Sequence, residues 1–154
     1  MEGSISIDPE AQPTARQVNS ATLPAGSTVV FLAPTVPLCA QQADVLTEAG
    51  LRVALHSLLQ GSLSKKLQKG AAGAQQWQAL VSGHQVVVAT PGELLHGLLH
   101  GLMRMEQVAL LVLDEVHHAD KDHPYAAIAR QFVAPLAAGG RAPRLLGLTA
   151  SPVQ

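Results

Sequence analysis

The chain has 154 residues, of which 47% are hydrophobic, 3% aromatic and 14% charged, and its formal net charge is −1. This composition predicts one domain with an aliphatic core. It excludes a highly charged disordered tail and a strongly basic nucleic-acid clamp, although a local contact strip remains compatible with it. The single cysteine, Cys39, excludes an internal disulfide and a zinc–cysteine cluster.

Signals for secretion and for membrane insertion are missing from the sequence. The first 25 residues lack a charged start followed by an apolar run. No apolar stretch reaches the roughly 18 residues that a membrane span requires. We therefore expect a soluble protein of the cytoplasm or nucleus, neither secreted nor bound to a membrane. Residues 1–27 are polar and contain three prolines, which predicts a disordered or poorly packed leader before a folded domain at 28–154.

Aliphatic runs typical of buried strands alternate with segments of helical spacing after residue 27. The predicted strands are 28–33, 52–58, 85–89, 108–113 and 144–148. The predicted helices are 38–49, 74–81, 92–102 and 123–136, and residues 60–73 are predicted as a loop or a frayed helix. This alternation predicts an α/β fold with a parallel sheet and helices on both faces. In such sheets, functional residues collect at the carboxyl ends of the strands.

Two carboxylates follow the most hydrophobic of these strands. The run at 108–113 leads directly into Asp114 and Glu115. In nucleotide hydrolysis, an aspartate at a strand end holds Mg²⁺, usually through water, and the ion bridges the β- and γ-phosphates of ATP. A neighbouring glutamate can polarise the attacking water. Asp114 could instead cap the next helix, so the pair alone leaves both interpretations open.

The sequence around this pair resembles the DExH box of superfamily 2 helicases, with His117 in the fourth place. The continuations His117-His118-Ala119 and His123-Pro124-Tyr125 are similar to the helicase region of Dicer proteins. Antiviral RNA-sensing helicases share the second triplet, and Val116 stands where that branch usually has cysteine. The resemblance implies a three-layer, RecA-like fold of the P-loop NTPase type with ATP and Mg²⁺ as cofactors. It also implies that Asp114 holds Mg²⁺, Glu115 activates water and His117 couples the ATP site to motif III.

Three further segments resemble motifs of the same family, and each follows a predicted strand. Residues 31–38 resemble motif Ia, residues 86–92 resemble motif Ib, and residues 146–152 resemble motif III. Any one of them could be an ordinary turn, but their order supports the family. The resemblance implies contacts to a nucleic-acid backbone from Pro34, Thr35, Thr90, Pro91 and Gly92. It implies coupling between the hydrolysis and RNA-binding sides through Thr149, Ala150 and Ser151.

The P-loop expected upstream of motif Ia is not found, because neither Gly-Lys-Ser nor Gly-Lys-Thr occurs in the sequence. We therefore predict an incomplete first RecA-like lobe from a Dicer-like RNA helicase, which alone is inactive in ATP hydrolysis. The resemblance implies that double-stranded RNA is the partner, for small-RNA processing. It also implies that the complete protein adds a second helicase lobe and ribonuclease domains.

Two other functions remain open. The missing P-loop favours a catalytically inactive RecA-like module that holds RNA or a protein, whereas the intact pair of Asp114 and Glu115 argues against it. A DNA-directed superfamily 2 helicase of the fork-remodelling type is the other alternative. The details at His118 and at the triplet of His123, Pro124 and Tyr125 favour RNA over DNA.

Overall fold

The structure is a computed structural model that describes residues 23–55, 71–118 and 123–149. Most of the predicted leader, the segment 60–70, and the motif III residues Ala150 and Ser151 lie outside the described residues. Within the described part of the chain, no helix has the length and apolar character needed to cross a lipid bilayer.

Five parallel strands form a single sheet. They are β1 (Thr28–Leu32), β2 (Val53–Leu55), β3 (Val86–Ala89), β4 (Val108–Leu113) and β5 (Arg144–Gly147). Their order across the sheet is β2-β3-β1-β4-β5, and every neighbouring pair is parallel. The predicted parallel α/β sheet is therefore confirmed, and β1 lies at its centre.

Helices connect these strands. They are α1 (Val36–Glu48), α2 (Ala71–Gly83), α3 (Pro91–Leu99), α4 (Pro124–Ile128) and α5 (Ala134–Ala138), with a π-helical turn at Ala129–Val133 joining the last two. Short 3₁₀ turns at Met105–Gln107 and Val116–His118 flank β4. Helix α1 begins two residues earlier than predicted, because Thr35 caps it and Pro37 is tolerated in the first turn.

The direction of each connection decides which face a helix covers. The step from β1 to β2 runs toward one edge of the sheet, whereas the later steps run toward the other. Because such connections are right-handed, α1 lies on one face and the other helices of the described residues lie on the opposite face. The core accordingly divides into two clusters, one containing Cys39 of α1 and the other containing Trp77 of α2 and Leu94 of α3. Cys39 and Trp77 are both buried.

The prediction that all five strands are buried is wrong for β5. Leu145 is 52% exposed and Leu146 is 47% exposed. Strand β5 is the last strand of the sheet and pairs with β4 on one side, while its other side has no partner among the described residues. An edge strand keeps part of its surface in solvent even when its composition is that of a buried strand.

The packing of α3 against the core can be tested with two leucines of this helix. Leu94 is 1% exposed in the larger core cluster, whereas Leu99 on the same helix is 58% exposed. We expect Leu94→Ala to lower the free energy of unfolding by about 2–5 kcal/mol, because it removes buried methyl groups and leaves a cavity. Leu99→Ala should change it by no more than about 0.5 kcal/mol. Urea denaturation measures both, and equal losses would contradict this packing.

Candidate active site

The carboxyl ends of four strands meet at one edge of the sheet. Leu32 at the end of β1 pairs with Ala89 of β3 and with Leu113 of β4. Leu113 in turn pairs with Gly147 of β5. Because these strands are parallel and end in register, the residues that follow them lie along the same edge. The structure thus brings the described residues of the four motif segments to one side of the sheet.

Backbone and side-chain hydrogen bonds hold Asp114 at this edge. Its N–H donates to the carbonyl of Leu32 at 2.9 Å, which extends the pairing of β1 and β4 by one residue. Its Oδ1 accepts from the N–H of Glu115 at 3.0 Å. Helix α4 is capped by His123, so Asp114 does not cap that helix. The Asp114 side chain is half-buried at the strand end.

Glu115 has a left-handed backbone, with φ of 54°, and it is the one non-glycine residue with positive φ in the described ranges. Its Oε2 lies 3.1 Å from Nε2 of His117, and Nδ1 of His117 lies 3.1 Å from Oγ1 of Thr149. A neutral imidazole donates from one nitrogen and accepts at the other. His117 can therefore donate to Glu115 while it accepts from the Thr149 hydroxyl. These contacts form a continuous connection from the acidic pair to the segment after β5.

The unusual backbone of Glu115 predicts a measurable strain. A left-handed conformation costs a non-glycine residue roughly 1–2 kcal/mol, and glycine loses roughly 0.5–1 kcal/mol more chain entropy than alanine on folding. Glu115→Gly should therefore be more stable than Glu115→Ala by about 0.5–1 kcal/mol. The exposed Glu106 has no positive φ, so glycine there should be less stable than alanine. Urea denaturation measures these stabilities. If the glycine and alanine variants rank in the same order at both positions, the proposed strain at Glu115 is contradicted.

The two threonines predicted to contact nucleic acid both cap helices. Thr35 Oγ1 accepts from the N–H of Leu38 at 3.4 Å at the start of α1. Thr90 Oγ1 accepts from the N–H of Glu93 at 3.3 Å, and Glu93 Oε2 accepts from the N–H of Thr90 at 3.0 Å. Since each hydroxyl oxygen serves as an acceptor, its hydrogen remains able to donate to a phosphate.

Prolines reduce the backbone donors at these two helix starts. Pro37 stands in the first turn of α1 and Pro91 in the first turn of α3, and neither has an N–H group. The N–H of Glu93, also in the first turn of α3, is already bound to Thr90. Pro34 lies half-buried between β1 and α1. Fewer backbone N–H groups are therefore available to a phosphate at these two helix starts.

Sequence reasoning missed two residues that shape this edge. The first is Glu93, which is 9% exposed and forms a reciprocal capping box with Thr90. Its signal was present in the sequence, since a threonine followed three residues later by glutamate is the pattern of such a box. The second is Tyr125, whose hydroxyl donates to the carbonyl of Asp114 at 2.7 Å. Nothing local in the sequence indicates that contact, because it joins two separate elements.

The donor set suits a nucleotide-bound Mg²⁺ better than a closed metal cage. The described residues contain no group of three or more histidine, cysteine, aspartate or glutamate side chains that could hold a metal ion. Mg²⁺ keeps several waters and takes one or two carboxylates together with substrate phosphates. The single half-buried carboxylate of Asp114 at a strand end fits that requirement.

Cys39 takes no part in such chemistry. Its thiol, on α1, is fully buried and donates to the carbonyl of Ala33 at 3.6 Å. Burial raises the pKa of Cys39 to about 11. Because the thiolate is the reactive form, this cysteine is inert at neutral pH, as expected for a core residue.

Comparison with known proteins identifies the family. The sequence profile described as DEAD/DEAH box helicase matches residues 11–154. The chain belongs to the DEAD/DEAH box helicases. The helicase domain is 41% identical over 129 residues to Dicer-like protein 2 of Emericella nidulans, which covers 82% of this chain and 9% of that protein. It is 36% identical over 138 residues to Endoribonuclease Dicer homolog 4 of Oryza sativa subsp. japonica, covering 84% of this chain and 8% of that protein.

A solved structure supports the RecA-like helicase fold. The helicase domain of Hef from Pyrococcus furiosus is 31% identical and superimposes with a TM-score of 0.57, covering 84% of this chain and 25% of that one. The predicted fold class and the predicted similarity to Dicer-like helicases are therefore confirmed. The helicase domain spans less than a tenth of the length of these Dicer relatives.

Proposed function

We propose that this helicase domain is the part of the first RecA-like lobe, at residues 28–154, that supplies the ATP-hydrolysing side chains of a Dicer-type RNA helicase. The observation that carries the proposal is the connection of Glu115, His117 and Thr149 beside Asp114 at the sheet edge of a DEAD/DEAH box domain. An acidic pair with a histidine and a hydroxyl in contact at strand ends offers a metal ligand and a general base for phosphoryl transfer to water.

The two carboxylates would have different roles. Asp114, fixed by its backbone bond to Leu32, would hold Mg²⁺ through water. The bound ion would neutralise charge that develops on the β- and γ-phosphates of ATP. Glu115 would take a proton from the attacking water, since its carboxylate is accessible and is kept in place by His117. In this scheme Asp114 binds the metal ion and Glu115 accepts a proton from the attacking water.

His117 and Thr149 would link hydrolysis to nucleic-acid binding. The imidazole bridges the Glu115 carboxylate and the Thr149 hydroxyl. A change at the nucleotide would thereby alter the contact with the segment after β5. Ala150 and Ser151 continue that segment in the sequence and would share the coupling role. The coupling is local, because one histidine spans the whole distance between the two segments.

Contacts to RNA would come from the other half of the same edge. Thr35 follows β1 and Thr90 follows β3, whereas the acidic pair follows β4. In the strand order, β3 and β1 lie together on one side of β4, so a phosphate-contacting half with Pro34, Pro91 and Gly92 would lie beside the hydrolysing half. Similarity to Dicer-like proteins supports double-stranded RNA as the substrate, with a second helicase lobe and ribonuclease domains in the complete protein. Such a protein would act in the cytoplasm or nucleus.

The rate of ATP hydrolysis in the presence of duplex RNA or of duplex DNA tests this function. In the complete gene product that contains this domain, we expect duplex RNA to stimulate ATP hydrolysis and duplex DNA of the same length and sequence to do so much less. The salt concentration must be fixed, because backbone contacts weaken steeply as salt rises. Equal stimulation by DNA would favour a DNA-directed helicase. RNA binding without any ATP turnover would favour an inactive module.

The missing P-loop sequence gives a separate prediction for the 154-residue chain by itself. Without the glycine-rich phosphate loop and its lysine, Asp114 reaches the nucleotide only through the metal. We expect its dissociation constant for Mg²⁺-ATP to exceed about 1 mM, which corresponds to about −4 kcal/mol of binding free energy. Isothermal titration measures it. Micromolar affinity that requires Mg²⁺ and disappears in Asp114→Ala would show that the chain binds ATP without this loop.

A further inference from the structure

The triplet His123-Pro124-Tyr125 has no role in the function proposed above, yet it is tightly built into the structure. His123 caps α4, and its Nδ1 accepts from the N–H of Tyr125 at 3.2 Å. Pro124 occupies the first turn, where its missing N–H costs nothing. The rings of His123 and Tyr125 pack with their centroids 4.7 Å apart. Together these contacts fix the direction of the Tyr125 side chain.

Tyr125 points from α4 into the end of the sheet. Its side chain is 3% exposed, and its hydroxyl lies 2.7 Å from the carbonyl oxygen of Asp114 and 3.3 Å from that of Leu32. The hydroxyl donates to the nearer acceptor, the carbonyl of Asp114.

That acceptor belongs to the peptide unit that joins the two acidic residues. The carbonyl of Asp114 and the N–H of Glu115 share one planar group. Tyr125 holds the carbonyl end, and Oδ1 of Asp114 accepts from the N–H end at 3.0 Å. With both ends of the plane bound, the group cannot rotate freely. The left-handed φ of Glu115 begins at this plane, so its orientation sets where the Glu115 carboxylate points.

We propose that Tyr125 is a positioning residue: its hydroxyl holds the peptide between Asp114 and Glu115 and thereby keeps Glu115 in the conformation that meets His117. The inference rests on the proposed function for its effect on ATP turnover, but not for its effect on the backbone. Strained backbone persists only where surrounding contacts enforce it, and the buried hydroxyl supplies such a contact.

Tyr125→Phe removes the hydroxyl and keeps the packed ring. The matched control is Thr28→Val, which removes another buried hydroxyl at the amino end of β1, where Thr28 donates to the carbonyl of Gln85 at 3.0 Å. Both variants leave a part-buried carbonyl with one donor fewer, and both should lose similar stability. Nuclear magnetic resonance of the 154-residue chain reports the backbone of Glu115 through its Cα and Cβ shifts and its amide coupling.

Only Tyr125→Phe should lose the left-handed signature at Glu115. In the complete gene product, it should also lower the turnover number by about 10- to 100-fold with little change in KM for ATP, since misplaced catalytic groups cost about that much. Combined with Glu115→Gln, it should add little further loss, because Tyr125 acts through Glu115. Thr28→Val should retain the signature and the turnover.

Two results would overturn the assignment. The first is a Tyr125→Phe chain that keeps the left-handed signature at Glu115. The second is a loss of turnover from Tyr125→Phe that is equally large in the unaltered protein and in Glu115→Gln, which would show that the hydroxyl acts by another route. A third outcome separates the two proposals. If Tyr125→Phe loses the left-handed signature at Glu115 but the unaltered complete protein does not hydrolyse ATP, the positioning contact stands and the proposed function is rejected.

Discussion

Asp114→Ala is expected to abolish ATP turnover by the complete gene product while leaving the fold largely intact. The side chain would hold Mg²⁺, and a metal ion at a phosphoryl group stabilises the transition state by several kcal/mol. Loss of about 4 kcal/mol corresponds to a roughly 1,000-fold lower rate. The fold should persist because β4 keeps its pairing through the backbone, including the bond from the Asp114 N–H to Leu32.

The matched control for this variant is Asp44→Ala. Asp44 is an exposed carboxylate on α1, away from the sheet edge that carries the acidic pair. Its removal should leave turnover unchanged. Circular dichroism and urea denaturation of both variants separate lost chemistry from lost folding. Unchanged turnover in Asp114→Ala would dismiss the role assigned to this residue.

Glu115→Gln is expected to lower the turnover number by about 10²–10⁴-fold, the range typical of a lost general base. Glutamine keeps the size and hydrogen-bonding reach of glutamate but cannot accept a proton from water. The affinity for Mg²⁺-ATP should change little, since the metal contact belongs to Asp114. Steady-state kinetics at saturating RNA, with nucleotide binding measured separately, distinguishes the two effects.

Glu106→Gln serves as the control for Glu115→Gln. Glu106 is exposed in the 3₁₀ turn before β4, at the opposite end of that strand. It should retain full turnover. If Glu115→Gln kept most of its activity, or lost activity only in proportion to weaker nucleotide binding, Glu115 would not be the base.

Strand β4 shows how far local sequence patterns determine this fold. Its predicted bounds, 108–113, match the structure, because a continuous aliphatic run with polar residues after it has few alternatives. Helix boundaries were predicted less well. Helix α2 runs from Ala71 to Gly83 and is longer than the predicted 74–81 at both ends, since its alanine, glycine and glutamine residues give a weak periodic signal.

The acidic pair was located from sequence, but its geometry was not. The motif predicts which residues follow β4, whereas the left-handed φ of Glu115 depends on contacts that cross between elements. The hydroxyl of Tyr125 reaches the carbonyl of Asp114 from α4, eleven residues further along the chain. The connection from His117 to Thr149 spans 32 residues. Contacts of this kind arise from tertiary packing, so residue spacing alone does not predict them.

The Mg²⁺ dependence of ATP turnover in Asp114→Asn tests the central claim most directly. Asparagine keeps an oxygen that can accept from the Glu115 N–H, as Oδ1 of Asp114 does, but it lacks the charge that attracts the metal. We expect this variant to be inactive at Mg²⁺ concentrations that saturate the unaltered protein, with residual turnover only at much higher Mg²⁺. Turnover and Mg²⁺ dependence equal to those of the unaltered protein would contradict a magnesium-holding role for Asp114.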